Sequence, residues 1–410
     1  MKNLSLIVLC LLFLLPVSKL SAQDDKKFEY HRSSLYSFVM VDPRTLFADD
    51  IAAVFKETPL PDKFNDHNLP RKVIDSRYCL FGKKSKALQA NMTTFVNQYK
   101  LGNKMIEKWF NMDANSGTSN MLLVSERGYY DASALQVKMA DMSVRGRRML
   151  EDAGEDLIGQ TFVVANYIRY NDKGAQASVV HSIFEVIGSI ASLFGGETAG
   201  LISDVADLGS TTTEDWDGFK VVVETYLFQL DWNKENSALF YKNYYRTSGE
   251  GSRDNFISFD KDTLFNLRYV GSTKVSSGKT AVFGTDDRVA YIKRVCTRSV
   301  DKSIAQLQHE YEEFRVKTPI VSVDPITAYI GMKEDVTNKT KFEVLEIVED
   351  EEGHTDYRRV GVVKAKKGKI WDNRYDADLE KSDGADLGYT TFTKVLGGNI
   401  YPGMLLREIK

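Results

Sequence analysis

The sequence holds one stretch that resembles a phosphate-binding loop. SSGKTAVFG, residues 276–284, ends its first half as such a loop does. The full pattern requires a glycine five positions before Gly278, where Thr273 stands, and a helix whose N-terminus faces the anion. The residues that follow are β-like instead. We therefore predict a hairpin turn here and no nucleotide site.

Two further patterns could hold a metal ion. His309 and Glu313 are spaced four apart on a predicted helix, which could supply half of a zinc site, but no third ligand is visible. Residues 376–388 have the acid density of a calcium loop, but Lys381 stands where the loop glycine belongs and no glutamate closes the pattern. We predict a solvated helix surface and a polar loop, with no metal and no cofactor.

Patterns for catalytic nucleophiles are equally sparse. The sequence contains no Gly-x-Ser-x-Gly elbow. Two carboxylates could cleave a glycoside, but their separation in space does not follow from their spacing along the chain. We predict no catalytic residue and a non-catalytic protein. An exported hydrolase acting on glycans or peptides stays open as an alternative.

The N-terminus reads as a secretory signal over residues 1–22. A basic start is followed by an apolar run and then by small residues, which predicts cleavage after Ala22. Cys10 lies inside the apolar run, so it has the wrong position for a lipoprotein cysteine. Cleavage removes two lysines and takes the net charge from −3 to −5. This mild acidity argues against a nucleic-acid partner.

Two cysteines remain after cleavage, Cys79 and Cys296. An exported pair can oxidise to a disulfide. Each could equally be a buried small hydrophobic residue, because the sequence cannot place their Cα atoms within bonding range. Both alternatives stay open.

Hydrophobic periodicity predicts an α+β fold with several domains. TFVVANYIRY alternates as a strand over 161–170, and FKVVVETYLFQLDW, 219–232, is its natural antiparallel partner. Apolar residues at helical spacing predict a long helix over 287–316. MLLVS, 121–125, is a short strand candidate. A central mixed sheet with packed helices results.

The domain bounds follow from changes in texture along the chain. We assign 23–115 to an N-terminal helical or strap region and 116–318 to the central domain, with a helical insertion over 171–217. The remaining residues, 319–410, carry short β runs separated by charged or glycine-containing turns. Such runs predict a small SH3-like β-barrel.

The insertion contains the most apolar helix of the mature chain, SVVHSIFEVIGSIASLFGG, over 178–196. Four serines and Glu185 form a narrow polar stripe, and apolar side chains cover the rest of the helix. This pattern fits a core helix, an interfacial or self-associating helix, or a membrane span, although Glu185 near the middle disfavours the span. For partner or membrane contact we single out five residues: Ile183, Phe184, Ile187, Ile190 and Phe194.

Two segments resemble envelope proteins of bacteria. GRRMLEDAGEDLIGQTFVVANYIRY followed by VETYLFQLDWNKE is similar to the helix and paired strands of the curli-secretion lipoprotein and penicillin-binding-protein activator group. The C-terminal AYIGMKEDVTNKTKFEVLE through YRRVGVVKAKKGKI is similar to the final β-domain of flagellar assembly proteins. The lipobox of the first group is absent, and the insertion has no counterpart there. The resemblance implies proteins that scaffold or regulate envelope machinery, and no functional residue carries over.

These observations together predict an exported scaffold or assembly factor. It would act in the periplasm or at the periplasmic face of the outer membrane, through an envelope protein partner or self-association, with peripheral membrane contact as a further option. A membrane-active protein that inserts the 178–194 helix is the third alternative.

Overall fold

A computed structural model describes residues 33–43, 48–76, 85–131, 151, 153–172, 218–280, 288–349 and 355–409. Over these ranges the chain has the predicted α+β character, with helices packed on a mixed sheet and a second, closed sheet toward the C-terminus. The helices are α1 (Ala48–Glu57), α2 (Ser85–Gln98), α3 (Leu101–Trp109), α4 (Leu122–Asp131), α5 (Lys234–Asn243), α6 (Arg253–Lys261) and α7 (Arg288–Glu310).

The central sheet has the order β2-β1-β4-β5-β6, and β3 also pairs with β1. Strand β1 runs parallel to β2, β3 and β4, whereas β5 runs antiparallel to both of its neighbours, β4 and β6. The bounds are β1 (Ser34–Val41), β2 (Asn65–Asp66), β3 (Val73–Asp75), β4 (Thr161–Asp172), β5 (Gly218–Leu230) and β6 (Leu267–Thr280).

Strand β1 lies inside this sheet with all eight residues buried. Its side chains alternate between two hydrophobic cores, with Tyr36 and Phe38 in one core and Leu35 and Val39 in the other. A strand buried on both faces shows a continuous apolar run instead of alternation. The sequence analysis missed SLYSFVMV as a strand. Because β1 pairs with β4, the predicted N-terminal region contributes a strand to the central sheet.

The predicted pairing of 161–170 with 219–232 is confirmed. Phe162 lies opposite Gln229 and Asp172 lies opposite Phe219. Strand β1 accompanies β4 only as far as Tyr167, so residues 168–172 run on with β5 and β6 alone. At about 3.4 Å per residue these five residues span about 17 Å. We call this extension, residues 168–172, 218–223 and 275–280, the arm.

One face of the arm is apolar and the other is charged. Val221 and Val223 belong to the core beneath α7. On the opposite face, at the base of the arm, Glu224 pairs with Arg169 and lies 3.4 Å from Lys274 Nζ. This row of charges crosses three strands. Ile168, Val221 and Val223 are buried, so the first part of the arm belongs to the core on which α7 packs.

Several predicted elements are wrong or shorter than expected. Residues 122–125 begin helix α4 and do not form a strand. The helix predicted over 287–316 ends at Glu310 and is followed by a 3-10 turn at Glu312–Phe314. Residues 276–280, where we expected a hairpin turn, continue β6 and pair with β5. A phosphate-binding loop is therefore ruled out there.

Six C-terminal strands form a closed sheet in the order β10-β11-β8-β7-β12-β9. Its core includes Ile320, Phe342, Val363 and Phe392. Not every short β run in 319–410 forms a strand: GKIWDNR, 368–374, makes an isolated bridge between Trp371 and Gly331. The bounds are β7 (Thr318–Val323), β8 (Ile326–Ala328), β9 (Lys341–Glu349), β10 (Thr355–Ala365), β11 (Thr390–Gly397) and β12 (Leu405–Glu408).

A buried arginine joins the start of the central sheet to α3 and α4. Arg127 is 4% exposed, and its guanidinium lies 4.3 Å from the Trp109 ring centroid. It donates to Ser34 Oγ at 2.8 Å and lies 2.6 Å from His67 Nδ1. Because that arginine can only donate, His67 Nδ1 must accept, and its Nε2 donates to the Met105 carbonyl. Burial, and then Arg127, holds the pKa of His67 well below its usual value, so this histidine is neutral.

A search of the described helices for a membrane span finds none of sufficient length and apolar character. The helix predicted over 178–194 lies outside the described residues, so this search does not include it.

We predict that Gly102→Ala destabilises the protein, although alanine ordinarily improves a helix by about 0.5–1 kcal/mol. A Cβ atom on Gly102 would stand 2.1 Å from the Phe265 carbonyl oxygen, so α3 would have to move away from that backbone. We expect the free energy of unfolding in urea to fall by about 1–3 kcal/mol. Lys104→Ala, on the exposed side of the same helix, is the control and should change it by less than about 0.5 kcal/mol. A stabilised Gly102→Ala variant would contradict the close packing.

Candidate interdomain site

Helix α7 belongs to both parts of the molecule. One side packs on β5, β6 and α1, and the other contacts the 3-10 turn Met332–Glu334 of the closed sheet. Its apolar stripe, which includes Val300, Ile304 and Leu307, is buried in the core of the central sheet. The residues of α7 that flank this stripe, and so lie outside the core of the central sheet, therefore face the closed sheet. We call this contact, between α7 with the loop after α1 and residues 331–335 and 372–380, the seam.

Buried hydrogen bonds also fix α7 on the sheet. Thr225 on β5 has its hydroxyl 3.1 Å from Asn166 Oδ1 and 2.9 Å from Ser303 Oγ. Asn166 on β4 donates in turn to Ser37 Oγ on β1. This polar chain crosses three strands and ends in α7. Because a buried polar group without a partner is costly, the chain specifies one position of the helix along the strands.

Glu334 is the centre of the seam. Its carboxylate accepts hydrogen bonds from Lys63 Nζ at 2.7 Å, the Gly331 backbone N–H at 2.8 Å and Asn373 Nδ2 at 2.9 Å. The side chains of Lys63 and Glu334 are only 9% and 11% exposed. Lys63 comes from the segment before β2, so this ion pair joins the central sheet to the closed sheet. Its three donors satisfy the carboxylate in a site that water barely reaches.

Asp301 of α7 is a buried carboxylate close to this pair. Its side chain is 8% exposed, and the Lys333 ammonium lies 3.9 Å away. Burial raises the pKa of Asp301 to about 6, even though Lys333 favours the charged form. It borders a cavity of about 20 Å³ together with Ser37, Asn68 and Lys72, which is room for one water molecule. Asp301 can therefore gain or lose a proton under mildly acidic conditions.

Two arginines of α7 clamp the loop over 372–380. Arg294 Nε lies 3.2 Å from Asp376 Oδ2, and Arg298 Nη1 lies 2.8 Å from Glu380 Oε2. Arg298 also donates through Nε to the Tyr375 carbonyl. Two of the acids in which we considered a calcium loop, Asp376 and Glu380, thus pair with arginine. Among the described residues no group of acids, histidines or cysteines could hold a metal ion.

The loop itself is organised by Asp372, which is 2% exposed. Arg374 donates to both of its carboxylate oxygens, at 2.8 and 2.6 Å, and Ser382 donates to one of them. Burial raises the pKa of Asp372, but the hydrogen bonds from Arg374 and Ser382 outweigh it and bring the pKa to about 2. Asp372 therefore keeps its charge at acidic pH, and with it the hydrogen bonds that shape the loop.

The predicted pairing of His309 with Glu313 on one helix face does not form, because α7 ends between them. His309 Nδ1 instead lies 3.1 Å from Glu408 Oε2 on β12, and its Nε2 lies 4.0 Å from Asp335. Burial raises the pKa of Glu408 to about 7, and Asp335 contributes in the same direction. His309 is thus a further contact between α7 and the closed sheet, and it is not the solvated helix surface that we predicted.

The other predicted site residues are only partly visible. Ile183, Phe184, Ile187, Ile190 and Phe194 lie outside the described residues, as does Cys79. Cys296 carries a free thiol that is 2% exposed in the core between α1, α7 and the central sheet. Burial raises the pKa of this thiol to about 12, so it is unreactive in the folded protein. The disulfide stays a prediction.

No pattern in the sequence predicted the seam. Lys63 and Glu334 are separated by 271 residues, and no local pattern marks either one. The only available signal was Asp301, an acid beside the apolar stripe of α7, where a buried charge requires a partner.

Comparison with models of known protein families finds no match to this chain. Comparison with curated protein sequences finds no match either.

We predict that Lys63→Met lowers the free energy of unfolding by about 3–5 kcal/mol, because it leaves the Glu334 carboxylate buried without its cation. Adding Glu334→Met should recover part of this loss. The control is Arg358→Ala, which breaks an exposed pair with Glu346 and should cost less than about 1 kcal/mol. Urea unfolding of the parent, Lys63→Met, Glu334→Met and the double variant measures the coupling. Equal losses for Lys63→Met and Arg358→Ala would contradict a buried seam.

We predict that Asp301→Asn changes how stability depends on pH. The pKa of Asp301 in the folded protein, about 6, lies above its ordinary 3.8. The contribution of its protonated carboxyl to the stability of the folded state is therefore complete below about pH 4 and is lost as the pH rises through 6. Asp301→Asn does not lose stability in this way, because asparagine does not ionise. Its advantage over the parent should therefore grow between about pH 4 and 6 and then level off at about 2–3 kcal/mol. Urea unfolding across this range tests it, and parallel curves for the two proteins would refute it.

Proposed function

We propose that this chain is a non-catalytic, exported envelope protein that acts as a scaffold or assembly factor. One observation carries the proposal. Helix α7 packs against β5 and β6, the strands of the arm, and also against the closed sheet. Because both contact α7, the arm and the closed sheet are held in a fixed arrangement relative to each other.

The proposed role of the arm is to carry the insertion. Strands β4 and β5 continue past β1 and stop at Asp172 and Gly218, where the insertion begins and ends. The five apolar residues that we single out for contact lie in this insertion. Asp172 lies opposite Phe219, so the two chain ends that lead into the insertion lie side by side at the end of the arm. This supports contact with an envelope protein, a second copy of the chain or a membrane surface.

The other part of the molecule that α7 contacts is the closed sheet, which we infer to be a small barrel of the SH3-like class. Its six short strands and its ring of pairings support this assignment. The pairing of β4 with β5, followed by the turn at Asp231–Asn233, supports the proposed likeness to envelope accessory proteins. Compartment rests on the sequence of residues 1–22, which predicts export to the periplasm or to the periplasmic face of the outer membrane.

The proposal predicts that the insertion touches a partner in the cell. A photo-reactive amino acid at Ile187 should give a discrete adduct with a second polypeptide or with lipid. Phe184→Ser with Ile190→Ser should abolish this adduct while the urea unfolding curve stays unchanged. The same probe at Leu122, a 73% exposed position on α4, is the control for random collision.

Two outcomes would refute the proposal. Adducts confined to the same chain would place the 178–194 helix in the protein's own core. A mature protein that retains residues 1–22 in the cytoplasm would remove the envelope assignment.

A further inference from the structure

Six lysines lie together at one end of the closed sheet. Lys341 opens β9 and is paired directly with Lys364 of β10. The Ala365 N–H donates to the Thr340 carbonyl, which continues the pairing one step further. The turn after β10 is closed by a hydrogen bond from the Lys369 N–H to the Lys366 carbonyl. We call this set the lysine patch: Lys339, Lys341, Lys364, Lys366, Lys367 and Lys369.

The patch faces the solvent. Phe342, Val363 and Ala365 point into the core of the closed sheet, so the alternate residues Lys341 and Lys364 point outward on neighbouring strands. Five of the six lysines are exposed, and Lys364 is half-buried. Like charges directly opposite each other across two strands destabilise a sheet. The lysines at these positions therefore do not serve the stability of the fold.

Nearby acids do not neutralise the patch. Among the described residues no carboxylate lies within ion-pair distance of any of the six ammonium groups. Glu343, the next outward residue on β9, is already paired with Arg407 and lies 3.9 Å from Arg359 Nε. The arginines of this sheet are thus used internally, whereas the lysines are left for an external anion.

We propose that the lysine patch binds the headgroups of an anionic lipid membrane. Clusters of four to eight basic residues are attracted to such surfaces by about 1 kcal/mol per residue. Lysine suits this use because it is a hydrated point charge on a flexible stem, whereas recognition of one defined phosphate favours the rigid fork of arginine. Tyr389, 43% exposed, lies two residues from Thr391, whose N–H donates to the Lys369 carbonyl. An aromatic ring beside lysines is typical of membrane interfaces.

The lysine patch shares no residue with the insertion and goes beyond the proposed function. The contact would orient the closed sheet toward a lipid surface whatever the insertion binds. Attraction to a dispersed array of anions also predicts strong weakening by salt, since surface charges are screened over about 10 Å at 0.1 M ionic strength.

Vesicle sedimentation of the mature chain, residues 23–410, tests the proposal. The vesicles contain phosphatidylglycerol mixed with phosphatidylcholine, or phosphatidylcholine alone. We expect salt-sensitive binding to the anionic vesicles only. Lys364→Gln, Lys366→Gln and Lys367→Gln combined should reduce the partition coefficient about 100-fold, from roughly 1 kcal/mol for each lysine. The same three positions changed to arginine should retain binding.

A charge-matched control separates the patch from net charge. Lys56→Gln, Lys234→Gln and Lys242→Gln combined remove the same charge from exposed positions on α1 and α5 and should leave binding within about twofold. Equal losses in the two triple variants would overturn the proposal, as would binding of the parent to phosphatidylcholine alone. Failure of the parent to bind anionic vesicles, or an undiminished affinity of the patch variant, would also overturn it. Loss of the Ile187 adduct leaves this result unaffected, so the two proposals fail separately.

Discussion

The relation between the two sheets depends on one buried carboxylate. Glu334 cannot be left without donors in a site that is 11% exposed, and its donors come from three separate segments, at Lys63, Gly331 and Asn373. A rotation of the closed sheet on α7 would carry Gly331 and Asn373 with Glu334 but would separate the carboxylate from Lys63, leaving it buried without its cation. Hydrophobic packing alone tolerates sliding, whereas a satisfied buried charge does not. The seam therefore holds the two sheets together and also fixes their relative position.

The protein uses its charges in two different ways. At the seam, acids and bases are paired and largely buried, and their hydrogen bonds set the positions of backbone segments. In the lysine patch, six cations crowd together without such partners among the described residues. The first arrangement resists salt because its members are shielded from solvent, and the second is weakened by salt. A change of ionic strength would thus alter the outer surface while the relation between the sheets is kept.

The sequence predicted those elements whose partners are close along the chain or whose periodicity is regular. Strands β4 and β5 alternate over ten or more residues, and their pairing follows from proximity. Strand β1 was missed because burial on both faces removes the alternation on which recognition of a strand depends. The 121–125 segment was misassigned because a short apolar run is equally compatible with strand and helix. The seam could not be predicted, because its pairs join residues up to 271 positions apart.

Phe314 has a consequence for the order in which the protein assembles. Its ring packs against Phe64 at 5.1 Å and Phe162 at 5.0 Å, and so closes the core beneath α1 and α7. A growing chain emerges from its N-terminus, so β1 must wait for about 280 further residues before this core is sealed. Loop closure over such a length is slow compared with local helix formation. The nascent chain therefore cannot seal the face of β1 that carries Leu35 and Val39 until about three quarters of it have been made.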